Sequence, residues 1–192
     1  MARVVLASSS PYRAELLGRL GLAFEQLSPD IDETRYNAEP ARNYVVRLAR
    51  EKCAVVAATH PDALVIGSDQ CSAHNGEVLG KPHTEARAIA QLARAAGQCV
   101  TLWTAVALHD PADGTITTRC VPTRVHFRSL TPAAIRRYVQ TERPLDCAGA
   151  FRAEGLGITL FERIEGDDPN ALIGLPLIAL TELLGNAGVA LP

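Results

Sequence analysis

Three serines and an arginine follow a short apolar segment near the N-terminus, in the stretch LASSSPYRAELL. The segment predicts a buried strand, and Ser10 followed by Pro11 predicts the start of a helix. Amides at a helix N-terminus and serine hydroxyls can donate to a phosphate. Arg13 falls on the apolar side of this helix, where a charge is costly unless it faces an anion. The stretch therefore predicts either a phosphate-binding turn formed by Ser8, Ser9 and Arg13 or a capped helix with a snorkelling arginine.

Two lysines are further candidates for binding an anion. Lys52 lies on the apolar stripe of a predicted helix, so the helical period turns it toward the interior. It either reaches into a cleft or lies at the edge of the stripe. Lys81, in the stretch LGKP, is predicted in a rigid exposed loop, where a lysine either binds a ligand or is simply solvated.

Carboxylates follow two of the predicted strands. Asp69 ends the apolar run ALVIGS and is expected at the carboxyl end of a central strand, where open α/β sheets bind ligands. A carboxylate there can hold a divalent cation, accept a proton from water or simply cap a turn. The loop PDIDE adds Asp30, Asp32 and Glu33 as oxygen ligands for Mg²⁺ or as solvated acids, and solvation is the better interpretation for Asp30.

The combination of inward cations with acids at strand ends predicts a site for a polyphosphate and a metal. The chain has neither a GxxxxGK[ST] motif nor a GxGxxG motif. Its five histidines are scattered and suggest no Ser-His-Asp arrangement, and His126 falls in a strand pattern typical of a structural role. Metal-assisted attack by water on a phosphate fits these residues better than a covalent nucleophile does.

Composition limits the class of protein. The 192 residues are 47% hydrophobic and 21% charged, which suits one folded domain, with or without two lobes. The formal net charge of −2 argues against broad nucleic-acid binding. Five cysteines without a CxxC pair predict a reduced, cytoplasmic protein. We see no signal-peptide pattern and no apolar run long enough to span a membrane.

Strand and helix patterns alternate along the chain, which predicts an α/β fold with a mixed sheet. Strands are predicted at RVVLA, LAFEQLS, ALVIGSD, CVTLWTAVAL, TTRCVPTRVHF and GITLFERI. Helices are predicted from Pro11 to Gly21, from about Ala41 to Ala58, from a cap at Thr84 to roughly Ala96, over AAIRRYVQ with its start at Thr131-Pro132, and over LPLIALTELLG, closed by Gly185. The two strands that flank DPADG are expected to form a hairpin.

The ordered stretches LASSSPYRAELL, DIDE, EKC, IGSDQ, GKP, CAGAFRAEG and GLPLIAL resemble the motifs of the Maf family of nucleoside triphosphate pyrophosphatases. The resemblance covers essentially the whole chain and implies a single domain over residues 1–192. It implies an elongated, twisted mixed sheet flanked by helices, with two lobes and a central cleft, as in inosine triphosphatase. It also implies hydrolysis of a nucleoside triphosphate to the monophosphate and pyrophosphate with Mg²⁺ or Mn²⁺, and it makes a homodimer plausible.

The same resemblance implies roles for individual residues. Ser8, Arg13, Lys52 and Lys81 would contact phosphates, and the two lysines would also stabilise the leaving pyrophosphate. Asp69 would be the general base, a metal ligand or both. Glu33 would be a metal ligand or a catalytic acid.

Three departures from the common family pattern are characters of its 7-methyl-GTP pyrophosphatase subgroup. They are Tyr12, Gln70 and Glu154, although the subgroup usually has tryptophan at the first of these positions. An aromatic face attracts the cationic methylated base, and a carboxylate can accept from the N1–H and amino group of guanine. Gln70 can donate to the base carbonyl. The set predicts selectivity for 7-methyl-GTP, although each residue also has an ordinary explanation as a surface, turn or loop residue.

Two alternatives to a 7-methyl-GTP pyrophosphatase stay open at this point. One is a pyrophosphatase for canonical pyrimidine triphosphates such as dTTP or UTP, against which the three departures argue. The other is a nucleotide-binding regulator of septum formation, against which the full set of charged site residues argues.

Overall fold

The structure is a computed structural model that describes residues 3–192. Within that range the chain forms a seven-stranded sheet and five α-helices. The strands are β1 (Val4–Ala7), β2 (Glu25–Leu27), β3 (Leu64–His74), β4 (Glu77–Leu79), β5 (Cys99–His109), β6 (Ile116–Phe127) and β7 (Phe161–Glu165). The helices are α1 (Pro11–Gly18), α2 (Ala41–Ala57), α3 (Glu85–Ala95), α4 (Pro132–Glu142) and α5 (Leu177–Asn186). Short 3₁₀ helices span Ala148–Ala150 and Leu156–Leu160.

The sheet is mixed, as predicted. Its strand order is β2-β1-β3-β5-β6-β7, and β4 pairs with β3 outside this path. The pairs β1–β2 and β1–β3 are parallel, whereas β3–β4 and β6–β7 are antiparallel. β5 and β6 are neighbours in the sheet, which agrees with the predicted hairpin around DPADG.

The chain divides into two compact units. Unit 1 contains the described residues up to Asp69 together with Thr104–Val121 and Asp168–Pro192. Unit 2 contains Gln70–Trp103 and Pro122–Asp167. The predicted central cleft and the domain boundaries of 1–192 stay predictions.

In unit 1, the helices α1 and α5 pack on the buried strands β1 and β3. Every residue of β1 is buried, as expected of a parallel strand in the middle of a sheet. The core includes Leu6, Leu17, Ile66, Leu180 and Leu184. This packing fixes the end of β1, from which the serine-rich turn departs.

The helix α2 lies unusually close to β3 at Gly67. A Cβ atom built on Gly67 would lie 2.2 Å from the carbonyl oxygen of Ala49 and 2.8 Å from the Cβ of Cys53. Both distances are far below van der Waals contact, so only glycine fits there. The close approach brings Lys52 of α2 over the face of β3 that carries Asp69.

In unit 2, three phenylalanines form the centre of the core. Phe127, Phe151 and Phe161 contact one another edge to face, with ring centroids 5.2 to 5.6 Å apart. This is the preferred geometry of aromatic pairs. The cluster joins β6 and β7 to the segment that follows Ala148–Ala150.

Three of the predicted helix starts are confirmed by their capping residues. The side chains of Ser10, Thr84 and Thr131 accept hydrogen bonds from backbone amides three residues later, at 3.4, 3.3 and 3.2 Å. The predicted end of α1 is wrong: the helix ends at Gly18, and a further turn reaches Gly21, whose φ is +69°.

The predicted position of Asp69 at the end of its strand is wrong. β3 continues to His74, because Ser72–His74 pair with β4 through a turn at Asn75 and Gly76, whose φ values are 50° and 81°. Asn-Gly is the favoured pair for such a turn. Asp69 instead lies just beyond Gly67, the last residue of β3 that pairs with β1.

The predicted strand GITLFERI is only half correct. Its first part belongs to the 3₁₀ helix Leu156–Leu160, and β7 begins at Phe161. The amide of Gly157 donates to the carbonyl oxygen of Arg152 at 3.0 Å, which closes a tight turn. A Cβ at Gly157 would lie 2.2 Å from that oxygen, so the turn depends on glycine.

Candidate active site

The turn between β1 and α1 is held by its own serines and by β2. The buried Ser8 hydroxyl accepts from the amide of Ser10 at 3.2 Å and from Nη1 of Arg13 at 3.3 Å. The side-chain amide of Gln26 donates to the carbonyl oxygens of Ser8 and Ser10 at 2.8 and 3.2 Å. Ser9 is exposed between them. The turn thus has a fixed geometry at the N-terminus of α1, where an anion is favoured.

Arg13 is half-buried and hydrogen-bonded to the interior of unit 1. Its Nε donates to the carbonyl oxygen of Gly174 at 2.9 Å, and the buried hydroxyl of Ser68 donates to the same oxygen at 3.0 Å. Burial lowers the pKa of the guanidinium, and the charges of Asp69 and Glu33 oppose that shift. An arginine stays charged even so. The group is therefore a fixed positive charge rather than a solvated surface arginine.

Lys52 binds two carboxylates. Its Nζ lies 2.7 Å from Oδ1 of Asp69 and 2.7 Å from Oε1 of Glu33. Lys52 and Asp69 are buried, as the inward-facing position of the lysine predicts. The ion pair joins α2 to β3 directly.

Burial raises the pKa of the Asp69 carboxyl, and the charge of Glu33 adds to that shift. The positive charges of Lys52 and Arg13 act in the opposite direction. A carboxylate with a raised pKa accepts a proton more readily than an exposed aspartate does.

Of the three acids in the PDIDE loop, Glu33 is the one bound to Lys52. Asp30 is exposed, in agreement with its interpretation as a solvated acid. The Asp32 carboxylate accepts a hydrogen bond from the amide of Thr34 at 2.9 Å, and hydrogen bonding to the side chain and then to the backbone of Thr34 lowers the pKa of Asp32. Asp32 therefore shapes the turn, and Glu33 is left to face the lysine.

Lys81 lies in an exposed loop of unit 2, as predicted. The loop is held by Gln91 of α3, whose side-chain amide donates to the carbonyl oxygen of Gly80 at 3.1 Å. Pro82 is buried, and the amide of His83 donates to the carbonyl oxygen of Leu145 at 3.0 Å. The lysine backbone is thus fixed although its side chain is exposed.

The three predicted specificity residues are distributed over both units. Tyr12 is half-buried in the first turn of α1, in unit 1. Gln70 follows Asp69 in β3, so the two side chains project from opposite faces of the strand. In unit 2, Oε1 of Glu154 lies 3.5 Å from Nε of Arg152.

Unit 1 therefore brings together five of the predicted residues: Ser8, Arg13, Glu33, Lys52 and Asp69. The groups that orient them were not predicted from the sequence: they are Gln26, Ser68 and the carbonyl oxygen of Gly174. In the sequence, the Gly-Leu-Pro stretch that begins at Gly174 was the available signal of an unusual backbone. In the structure, the φ of Gly174 is +133°.

Glu33 and Asp69 could share a divalent cation with substrate phosphates. Within residues 3–192, no three side chains of the histidine, cysteine or acidic types form a metal cluster. Mg²⁺ is nonetheless often held by one or two carboxylates plus phosphate oxygens and water. The two carboxylates supply hard oxygen donors of this kind, so they fit Mg²⁺ or Mn²⁺.

All five cysteines are free thiols in the structure. No helix in the described part of the chain is both long and apolar enough to cross a bilayer.

Comparison with known proteins gives matches along the whole chain. A family model described as "Maf-like protein" matches residues 3–187. A Pseudomonas aeruginosa protein named 7-methyl-GTP pyrophosphatase is 53% identical over 192 residues, covering 100% of both chains. Proteins of the same name from Alkalilimnicola ehrlichii and Nitrosococcus oceani are each 55% identical, covering 98% and 96% of this chain and 94% and 93% of their own.

Among solved structures, a HAM1 protein from Coxiella burnetii has a similar fold. The TM-score is 0.52 at 15% sequence identity, and the match covers 97% of this chain and 100% of the other. At this identity the likeness concerns the fold alone, and it agrees with the α/β mixed sheet described above.

Proposed function

The chain belongs to the Maf-like family, and from this premise we propose that it hydrolyses 7-methyl-GTP to 7-methyl-GMP and pyrophosphate. Three relatives that are 53% to 55% identical carry the name of that activity. The observation that carries the proposal is the buried Lys52–Asp69 ion pair, which places a proton acceptor within the electrostatic reach of Arg13.

The triphosphate binds through the cations and hydroxyls described above. Ser8, Ser9 and Arg13 contact phosphate oxygens at the start of α1, where the helix dipole also favours negative charge. Lys52 and Lys81 neutralise the charge that develops on the leaving pyrophosphate. Fixed donors of this kind stabilise a phosphoryl-transfer transition state without reorganising.

Asp69 acts as the general base in this proposal. It orients a water molecule and accepts its proton while the water oxygen bonds to the α-phosphorus. The bond between the α-phosphorus and the bridging oxygen breaks, and pyrophosphate leaves with the bonding electron pair. Lys52 then lies next to a protonated Asp69 and keeps its ion pair with Glu33.

Glu33 and Asp69 are the residues that would hold Mg²⁺ or Mn²⁺. When bound, the ion supplies positive charge against the phosphate oxygens. We also propose that the protein is cytoplasmic and forms a homodimer.

Selectivity is assigned to Tyr12, Gln70 and Glu154. The aromatic ring of Tyr12 attracts the flat cationic base by about 0.5–2 kcal/mol. Glu154 accepts from the guanine edge and balances its charge, and Gln70 donates to the base carbonyl. A pyrimidine would leave these polar groups unpaired, which disfavours its binding.

The test is pyrophosphate release from 7-methyl-GTP, GTP, dTTP, UTP and CTP, each with Mg²⁺ or Mn²⁺. We expect the highest kcat/KM for 7-methyl-GTP. Preference for dTTP or UTP would keep the reaction but overturn the assigned substrate and the roles of Tyr12 and Glu154. Absence of release from every nucleotide would contradict the proposed reaction and favour a nucleotide-binding regulator.

A further inference from the structure

Two side chains of α2 hold the backbone of the loop that carries Glu33. The hydroxyl of Tyr44 donates to the carbonyl oxygen of Glu33 at 2.9 Å. Nη2 of Arg47 donates to the carbonyl oxygen of Thr34 at 3.1 Å.

Arg47 is itself held rigidly. Its Nε and Nη2 bind the two carboxylate oxygens of Glu39 at 2.8 and 2.9 Å, so that the pair is bidentate. The side chains of Arg47 and Glu39 are only 16% and 10% exposed, which sets this pair apart from a solvated surface salt bridge. The ring of Tyr36 packs 4.0 Å from the guanidinium carbon, in the geometry of a cation–π contact.

The Glu33 carboxylate has little support of its own. Its side chain is 57% exposed, and in residues 3–192 its one ion pair is that with Lys52. An exposed glutamate samples several rotamers, so the position of its carboxylate depends on where the backbone is held. The backbone is held by Tyr44 and Arg47, which lie on the same helix as Lys52.

We infer that Tyr44 and Arg47 are positioning residues that set the Glu33 carboxylate against Lys52, an inference that rests on the proposed function. The helix α2 then carries Lys52 and also Tyr44 and Arg47, which anchor the loop that supplies Glu33. Loss of an anchor would leave the lysine in place and displace the acid.

The experiment compares Y44F and R47M with R50M, a control on the same helix that removes an exposed arginine. The side chain of Tyr44 keeps its ring in Y44F and loses only the hydroxyl. We expect kcat for 7-methyl-GTP to fall about fivefold in Y44F, the effect of one hydrogen bond, with KM changed by less than about twofold. R47M should lose more, and R50M should match the wild type.

A double-mutant cycle separates positioning of Glu33 from a general effect on folding. In the E33Q background the added Y44F change should cost less than about twofold in kcat, because the group that Tyr44 positions is already lost. An undiminished loss in that background would overturn the inference, as would a Y44F enzyme with wild-type kcat.

Amide hydrogen exchange tests the anchors without any turnover. Amides of residues 33–39 should exchange faster in Y44F and R47M than in the wild type and R50M. Unchanged exchange would overturn the inference. A wild type inactive on every nucleotide would contradict the proposed function alone, since faster exchange confined to Y44F and R47M would still support the anchoring.

Discussion

Nζ of Lys52 lies 2.7 Å from Oδ1 of Asp69, and the two side chains are only 8% and 9% exposed. Removing Lys52 would leave the Asp69 charge without its ion-pair partner in a poorly solvated place. The pair therefore ties the chemistry of Asp69 to the presence of Lys52. It also ties α2 to β3, which carry the two residues.

Asp69→Asn is expected to lower kcat by about 10²- to 10⁴-fold, the range of general-base catalysis, because an amide cannot accept the proton of water. Pyrophosphate release measures the loss, and thermal unfolding checks that the variant folds. Asp62→Asn, in the exposed turn before β3, is the matched control and should keep wild-type turnover. If Asp69→Asn retained most of its kcat, Asp69 would not be the base.

The acid limb of the pH profile of kcat/KM should lie above the range of an exposed aspartate. Burial raises the pKa of Asp69, and the base must be ionised to work, so activity is lost at a higher pH as the solution is acidified. In Lys52→Met this limb should move to still higher pH, because the lysine charge that opposes the shift is gone. A limb that stayed in place, or moved to lower pH, would contradict the assignment.

Gly67→Ala should destabilise the protein by ~1–3 kcal/mol or more, because its Cβ would overlap the backbone of α2. Urea unfolding measures the change in the free energy of unfolding. Gly18→Ala is the matched control: apart from its chain neighbours and the nearby backbone of its own helix, nothing lies within 4 Å of the added Cβ, so stability should be unchanged or slightly higher. Turnover should fall in Gly67→Ala even where the variant is folded, since displacement of α2 moves Lys52. Equal stability of the two variants would show that α2 can adjust at no cost.

Glu154→Gln should lower the selectivity for 7-methyl-GTP over GTP by ~10-fold, because only the methylated base carries the positive charge that the carboxylate balances, whereas both bases offer the same N1–H and amino donors. The measurement is the ratio of kcat/KM for the two nucleotides. Glu162→Gln, an exposed position in β7, should leave the ratio unchanged. A ratio unaffected by Glu154→Gln would remove this residue from the recognition of the base.

Helical periodicity placed Arg13 and Lys52 on the apolar sides of their helices, but it did not decide between a binding site and a snorkelling or edge position. Lys52 follows the apolar spacing of α2, and Arg13 follows that of α1, so the positions of both were readable from neighbouring residues. Capping was equally readable, because Ser10, Thr84 and Thr131 satisfy amides within their own helices. These are local relationships, which a sequence records directly.

The strand position of Asp69 was misjudged because the apolar run ends there, whereas the strand does not. Its continuation depends on pairing with β4 through the Asn75-Gly76 turn, a signal that the sequence does contain. The roles of Gly174 and Gln26 could not be predicted in this way. Gly174 contacts Arg13 through its carbonyl oxygen, and Gln26 contacts the serine-rich turn from a separate strand, β2. The residue pattern within one segment does not indicate such contacts with a distant segment.

The four charged groups gathered in unit 1 also affect the rate at which a nucleotide associates with the protein. Arg13 and Lys52 carry two formal positive charges, and Glu33 and Asp69 carry two negative ones, so the cluster is formally neutral. The whole chain has a formal net charge of −2. Long-range attraction, the usual means of accelerating capture of a polyanion, is therefore weak at this cluster. Nucleotide association should accordingly depend little on ionic strength, and discrimination would arise after contact, from short-range recognition rather than from the field that guides diffusion.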